Sequence, residues 1–492
     1  MYTFLISICA LVLGYMLYGR FVARVFGPDD RVTPAVAKAD GVDYIVLPNW
    51  KIFMIQFLNI AGTGPIFGAI MGAKFGPASY LWIVLGCIFG GAVHDYLSGM
   101  LSMRHDGAGL PELIGKYLGR GTRAVMLMFS ILLLVMVGAV FVYSPAQILH
   151  GIWGSELMWI VIIFAYYLIA TMMPIDKIIG KVYPLFAFSL LFMAAALMVV
   201  LVLKMPSLPE VWDGIGNMGA LHEGTKWTDP LFPCLFITIA CGAISGFHAT
   251  QSPLMARCLK SEKQGRPIFY GAMITEGIVA LIWATVASYF FYAEPTPGYA
   301  VMAGAQETGF ATAAPKVVNI VCNDWLGVMG GILALLGVVA APITSGDTAL
   351  RSARLIIAEA LHMPQRSIAK RLLISVPLFA VCLLVLLWQM GNPNGFNVIW
   401  QYFGWSNQTL AVFTLWMLTV YLARSRKPYI ITLLPALWMT AVCSSFLVVS
   451  PQALAMPAQW AYYVTGAVVV IALAWFALWM KRQKQTNNIP TI

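Results

Sequence analysis

His94, Asp95, His248 and Glu276 are ionisable side chains inside long apolar stretches of this chain, and Asp347 lies just past Ser345 at the end of another. At bilayer depth such groups are expensive, turn toward the protein interior and mark ion or proton pathways. Histidine titrates near physiological pH, so Asp95, His248 and Glu276 form a candidate proton relay. His94 and Asp95 are adjacent, and on a helix they point about 100° apart rather than at each other. Asp95 is therefore expected to face the core or to pair with a basic residue at its end of the span. Glu276 is expected to relay protons or to pair with Arg257 or Arg266. For His248 the plainer alternative is a packing histidine bonded to a carbonyl. The six histidines are dispersed, so no metal cluster is expected, and no motif asks for a cofactor. Eight scattered cysteines form no C-x-x-C pair, which points to neither a disulfide framework nor a zinc site. They read as small buried hydrophobes.

Two further stretches carry chemistry in their backbone. Residues 59–69 read NIAGTGPIFGA, and residues 241–253 read CGAISGFHATQSP. Glycine and proline there interrupt apolar spans and free N–H and C=O groups, which lipid cannot satisfy. Such breaks survive only where they are buried in protein or line a watery cavity. Close helix packing through small residues is the structural alternative. Read as a binding site, the breaks offer Asn59, Gly62, Thr63, Gly64, Gly242, Ser245, Gly246, His248 and Gln251 to a substrate. Asn407 and Gln408 are amides at membrane depth, for which interhelical hydrogen bonding is the expected role.

The elements that must position these residues are transmembrane helices. The 492 residues are 60% hydrophobic and only 10% charged, with a mean hydropathy of +0.81. Soluble domains carry roughly a quarter charged residues, so a soluble globular protein is excluded. Apolar runs of about 20 residues predict an all-α polytopic membrane protein. Thirteen spans are expected, near 2–19, 52–73, 77–102, 124–145, 157–173, 183–203, 231–256, 268–293, 317–345, 372–391, 398–422, 429–449 and 460–480. Of the 30 Lys and Arg residues, only Lys74, Lys204, Lys226 and Lys316 fall on one side. The positive-inside rule then puts the N-terminus outside and the C-terminus in the cytoplasm. The net charge of +10 is thus topology, and no nucleic-acid partner is implied. The first span lacks a basic n-region and an A-x-A-like cleavage site and reads as retained.

The breaks lie in spans 2 and 7, which run in opposite directions. That is the pattern of a five-plus-five inverted repeat whose first helices are discontinuous, as in transporters whose half-helix ends meet at the midplane. The organisation follows: a first helix and cytoplasmic loop (1–51), a first repeat (52–203), an outer loop (204–230), a second repeat (231–422) and two accessory helices with a tail (423–492). Within the second repeat, the cytoplasmic loop 346–371 contains TALRSARLIIAEAL, which is expected to form a short helix at the membrane interface.

Longer motifs resemble the carbon starvation protein A (CstA) family of bacterial inner-membrane transporters. They are GRFVARVFGPDDRVTPAVAKADGVDY (19–44), NIAGTGPIFGA, LWIVLGCIFGGAVHDYLSGMLSMRHDG (81–107), SGFHATQSPLMARCLKSEKQGRPIFYGAMITEG (245–277), AAPITSGDTALRSARLIIAE (340–359) and YFGWSNQTLA (402–411). The resemblance spans nearly the whole chain. It implies uptake of peptides or pyruvate when carbon runs short, and a fold of the leucine-transporter type. It also implies a sodium site between spans 2 and 9, built from backbone oxygens of Leu58, Ala61 and Ala341 and hydroxyls of Thr344 and Ser345. Better-known members are longer and carry a histidine pair where this chain has Ile55-Gln56.

The function expected is secondary active, cation-coupled import of a small nutrient, with sodium the first coupling ion and the proton its alternative. A channel and a membrane-embedded enzyme are the competing classes. No H-E-x-x-H, G-x-S-x-G or phosphate-binding loop is present. The partners implied are a small solute and the lipid bilayer; the sequence is silent on oligomeric state.

Overall fold

The computed structural model describes residues 1–173, 179–216, 229–292, 310–365 and 367–485. Lys177, Lys226 and Arg366 of the charge-based topology, and part of the expected outer loop 204–230, lie outside the described residues.

Every regular element among the described residues is helical. The chain runs through α1 (Tyr2–Phe26), α2 (Asn49–Ala61), α3 (Gly64–Gly72), α4 (Ala78–Arg104), α5 (Leu110–Leu118), α6 (Arg120–His150), α7 (Glu156–Met172) and α8 (Ile179–Lys204). It continues through α9 (Leu231–Thr238), α10 (Gly246–Ala256), α11 (Gly271–Tyr292), α12 (Phe310–Ala360), α13 (Ile368–Gly391), α14 (Gly395–Arg424), α15 (Ile430–Val449) and α16 (Ala458–Gln485). Eight described helices are long and apolar enough to cross a membrane, or nine if the bent α2–α3 pair is one span. Backbone polar groups satisfied within each helix make this the one open-ended way to cross hydrocarbon.

Burial sorts the helices into an inner and an outer set. The most apolar windows of Ala78–Arg104 and of Glu262–Tyr292 are each 83% buried, whereas that of Ala458–Gln483 is 11% buried. The outer helices turn large apolar side chains outward, among them Leu185, Phe188, Leu384, Val470 and Ile471. In water such a surface would be costly; in lipid it is the solvent-matched face.

The first interruption follows from Gly62. Its backbone takes φ +48° and ψ −147°, a conformation essentially closed to residues with a Cβ. A Cβ there would also lie 2.7 Å from the Phe141 ring. Helix α3 restarts at Gly64-Pro65, where proline's missing N–H costs nothing, and the two pieces are bent by 43°. The second interruption spans residues 239–245 between α9 and α10, with Gly242 at φ +90°. The two breaks touch: a Cβ on Gly64 would sit 2.4 Å from Cys241 Cβ and Sγ, and one on Gly68 3.0 Å from the Thr238 carbonyl. Glycine is needed here for close approach of two backbones.

One expectation is corrected. The expected interface helix in 346–371 is the end of α12, which runs to Ala360 with a single non-helical residue at Gly327. Arg351 and Arg354 are 1% and 0% exposed, so this segment is interior rather than amphipathic. Arg351 Nη2 donates to the Ala170 carbonyl at 2.7 Å and Arg354 Nη1 to Gln365 at 2.6 Å, which lets the guanidinium groups be buried.

The first long motif, residues 19–44, is largely a tie between loops. Arg104 forms a two-pronged pair with Glu262 (2.9 Å on both contacts) and reaches the Gly27 carbonyl at 2.7 Å. Thr33 Oγ1 donates to the Leu259 carbonyl, and Lys263 pairs with Asp30. The hydrogen bond from Arg31 holds the Asp29 carboxyl well below the usual carboxylate range.

Candidate functional site

Helix α2 places Gln56 and Asn59 on one face, and Thr63 follows at the first break; all three are fully buried. Both amide atoms of Gln56, both of Asn59 and the Thr63 hydroxyl have no hydrogen-bond partner among the described residues. Leaving such a group dry costs about 1–3 kcal/mol. Buried polar groups are normally paired, so orphaned atoms on three side chains within eight residues set this stretch apart. Gln56 was not among the substrate residues expected from sequence. Its signal was present, since it is a primary amide in an apolar span one helical turn from Asn59.

Three other helices bring ionisable groups together. Asp95 on α4 has one imidazole on each carboxylate oxygen: His94 Nδ1 at 2.8 Å from Oδ1 and His248 Nδ1, from α10, at 2.8 Å from Oδ2. The other ring nitrogen of His248 lies 3.4 Å from Glu276 Oε2 on α11. All four side chains are fully buried. An ionised carboxylate only accepts, so with Asp95 ionised Nδ1–H of His248 donates to it. A proton on Nε2, or one on the Glu276 carboxyl, lets the two groups hydrogen-bond, whereas with neither two acceptors face each other. At 3.4 Å the approach falls short of a full hydrogen bond, and His248 Nε2 and both Glu276 oxygens have no hydrogen-bond partner among the described residues.

This cluster corrects three expectations. His94 and Asp95 do meet, because side-chain torsions swing neighbouring groups together where helix geometry alone holds them apart. Asp95 pairs with two histidines and not with a basic residue at the span end. Glu276 faces His248, since Arg257 is taken by Glu359 at 2.5 Å and Arg266 by the Tyr15 carbonyl. The histidines are also not isolated from other metal-ligand types: one donor atom each from Cys241, His248 and Glu276 lie within 4.8 Å of one another. Linear distance hid this, because the three come from the second break and from α11.

The five expected sodium ligands are partly assembled. Ser345 Oγ donates to the Leu58 carbonyl at 2.9 Å, joining α12 to α2 just before the break. Thr344 Oγ1 instead bonds the Ala340 and Ala341 carbonyls of its own helix, each at 2.9 Å. Ala61 is the last residue of α2. Asp347 is engaged elsewhere, by Tyr183, whose hydroxyl donates to it at 2.5 Å.

The remaining expected substrate residues divide. Gly62, Thr63 and Gly64 form the first break, and Gly242 lies in the second, where a Cβ would fall 2.4 Å from Ala280 Cβ and 3.8 Å from Pro65 Cβ. Ser245 donates its hydroxyl to Asn407 Oδ1 at 3.0 Å, and a Cβ on Gly246 would lie 2.3 Å from the α14 backbone. Gln251 is bonded to Thr250 and to Ser352 of α12. Asn407 and Gln408 make the interhelical bonds expected of them: Asn407 Oδ1 accepts Phe247 N–H at 2.6 Å, and Gln408 Nε2 donates to the Phe236 carbonyl at 2.8 Å.

An all-helical, multi-pass membrane protein with two interrupted helices in contact at a buried ionisable cluster is a class that comparison can refine. The fold is similar to that of a manganese transporter from Eremococcus coleocola, with a TM-score of 0.57 at 12% identity over 90% of this chain and 99% of that one. The chain belongs to the carbon starvation protein CstA family, whose signature matches residues 1–156, 146–309 and 297–446. It is 44% identical over 336 residues to an uncharacterized membrane protein of Haemophilus influenzae, covering 58% of this chain and 91% of that protein. It is 26% identical to the peptide transporter CstA of Escherichia coli, over 88% of this chain and 78% of that protein. The pyruvate/proton symporter BtsT of the same organism is 28% identical over 59% of this chain and 50% of its own length.

Proposed function

We propose that this protein is a secondary active importer of a small nutrient, a peptide or a pyruvate-like carboxylate, across a bacterial inner membrane, working by alternating access. The observation that carries this reading is the contact of two interrupted helices beside fully buried polar atoms that lack a hydrogen-bond partner among the described residues: those of Gln56, Asn59 and Thr63 at the first break, and, beside the second, His248 Nε2 with Glu276 of α11. The relatives named as peptide transporter and pyruvate/proton symporter support it. The helices are read as thirteen spans, N-terminus outside and C-terminus cytoplasmic, with residues 52–203 and 231–422 as inverted five-helix repeats. One interrupted helix opening each half supports that arrangement. Residues 1–51, 204–230, 346–371 and 423–492 are the flanking and connecting segments. No enzymatic role is proposed.

The proton is the coupling ion that the geometry favours. Asp95, His248 and Glu276 form a relay in which one imidazole sits between two carboxylates, and a proton loaded on Nε2 or on the Glu276 carboxyl converts a repulsive acceptor pair into a hydrogen bond. Protonation and solute binding at neighbouring groups then favour each other, which is the linkage a symporter needs. Sodium is the second reading, supported by the Ser345–Leu58 contact between α12 and α2. Uptake into proteoliposomes tests both: labelled pyruvate and a labelled dipeptide are offered under an inward proton gradient and, separately, an inward sodium gradient. Proton-driven accumulation of either solute is expected. Passive, unsaturable flux would instead indicate a channel, and no accumulation under either gradient would defeat the proposal.

A further inference from the structure

The second break frees backbone groups at both of its ends, and one neighbouring helix, α14, supplies a side-chain partner to each end. On the α9 side, the Leu235 carbonyl accepts Ile239 N–H, the Ile239 carbonyl accepts Trp82 Nε1–H at 2.8 Å, and the Phe236 carbonyl accepts Gln408 Nε2–H. On the α10 side, Ser245 occupies the N-cap position, yet its hydroxyl does not cap; it donates to Asn407 Oδ1. That same oxygen accepts Phe247 N–H, so a side chain from another helix caps α10. Both lone pairs of Asn407 Oδ1 are thereby used. Two consecutive residues of α14 thus hold the two halves of one interrupted helix, and Gly246 lies so close to α14 that no side chain fits between them.

We propose that Asn407 and Gln408 are positioning residues of the transport site, a splint that sets the separation of α9 from α10 and so fixes where His248 and Cys241 stand. The proposal rests on the transport reading above for its functional meaning, but the splint can be measured without transport. Cys241 lies in the break, with Asn407 Nδ2 3.9 Å from its sulfur, and is buried. Its accessibility to a thiol reagent reports whether the break is held.

The test compares Asn407→Leu with Asn407→Asp in the full-length protein, purified in detergent. Leucine keeps the volume and removes the acceptor. Aspartate keeps the acceptor and adds negative charge at a helix N-terminus, where it is tolerated. If Asn407 merely fills space, leucine is the benign change and a buried aspartate the harmful one; a cap predicts the reverse order. Labelling by N-ethylmaleimide is followed at Cys241 by peptide mass mapping, with Cys382 as an internal reference. Loss of one hydrogen bond corresponds to roughly tenfold in an opening equilibrium, and Asn407→Leu removes the two that Oδ1 accepts, so it is expected to speed Cys241 labelling at least about tenfold. Asn407→Asp is expected to stay near wild type, and Cys382 unchanged in both. Gln408→Leu, which releases only the Phe236 carbonyl, is expected to act in the same direction and serves if Asn407→Leu does not fold. Labelling at the wild-type rate in the leucine variants, or faster in Asn407→Asp than in Asn407→Leu, would overturn the proposal. In proteoliposomes the same order is expected in the KM for the solute. If wild-type protein moves no solute, the transport reading fails while the labelling order still decides the splint.

Discussion

The two interrupted helices are built in opposite ways. At the second, the freed backbone groups described above are met by protein: Trp82, Gln408 and Asn407 take them, and Gly246 is pressed onto α14. At the first, the Leu58 carbonyl has gained a partner from another helix, Ser345, while Gln56, Asn59 and Thr63 keep their polar atoms unsatisfied among the described residues. Buried polar groups are normally paired, so the contrast separates a braced half from a receptive half. It also relocates the expected roles. Ser245, Gly246 and Gln251 have protein partners, whereas His248, just past the second break, turns Nε2 toward Glu276 at 3.4 Å.

The comparison breaks most sharply at Gly62. Alanine there meets both a forbidden backbone conformation, worth about 1–3 kcal/mol, and the Phe141 ring at 2.7 Å. Gly62→Ala is expected to lower the melting temperature and to reduce uptake by more than about tenfold, on the scale of 1.4 kcal/mol per decade. Unchanged uptake and stability together would show that the break is not required as drawn.

Asn59→Ala and Gln56→Leu sharpen it. Removing an orphaned buried polar group relieves a desolvation penalty of about 1–3 kcal/mol, so each variant is expected to be as stable as wild type or more so. Each is nevertheless expected to raise the KM for the solute several-fold, roughly the worth of one hydrogen bond. Stability loss without a KM change would make these amides structural. The smallest effect is expected at Ser345. Ser345→Ala gives up one buried hydrogen bond, about 1 kcal/mol, and is expected to leave proton-driven uptake within about threefold of wild type. A collapse of uptake that sodium had been driving would move the coupling site to α12.

The interruptions were legible because glycine and proline inside apolar runs free backbone groups that hydrocarbon cannot satisfy, and the membrane class followed from composition. Asn407 and Gln408 were legible as interhelical ties, though not which stretches of backbone they hold. The cluster around His248 was legible only as separate residues. Asp95, His248 and Glu276 come from three helices, and their mutual distances depend on packing that periodicity does not encode. His94 and Asp95 show the same limit at close range, since the angle between adjacent Cβ directions says nothing of the torsions beyond them. Arg351 and Arg354 misled for a related reason: two arginines usually mark a wet face, but carbonyl and amide acceptors on neighbouring elements can satisfy them inside.

The central claim is that His248, held between Asp95 and Glu276, carries the coupling proton. The direct measurement sets wild type beside His248→Gln in proteoliposomes, reading accumulation of labelled pyruvate or dipeptide under an inward proton gradient, and exchange of the same solute with no gradient. Wild type is expected to do both. His248→Gln is expected to lose accumulation while still exchanging solute, because the binding face proposed on α2 is intact. Accumulation by His248→Gln at the wild-type level would contradict the account.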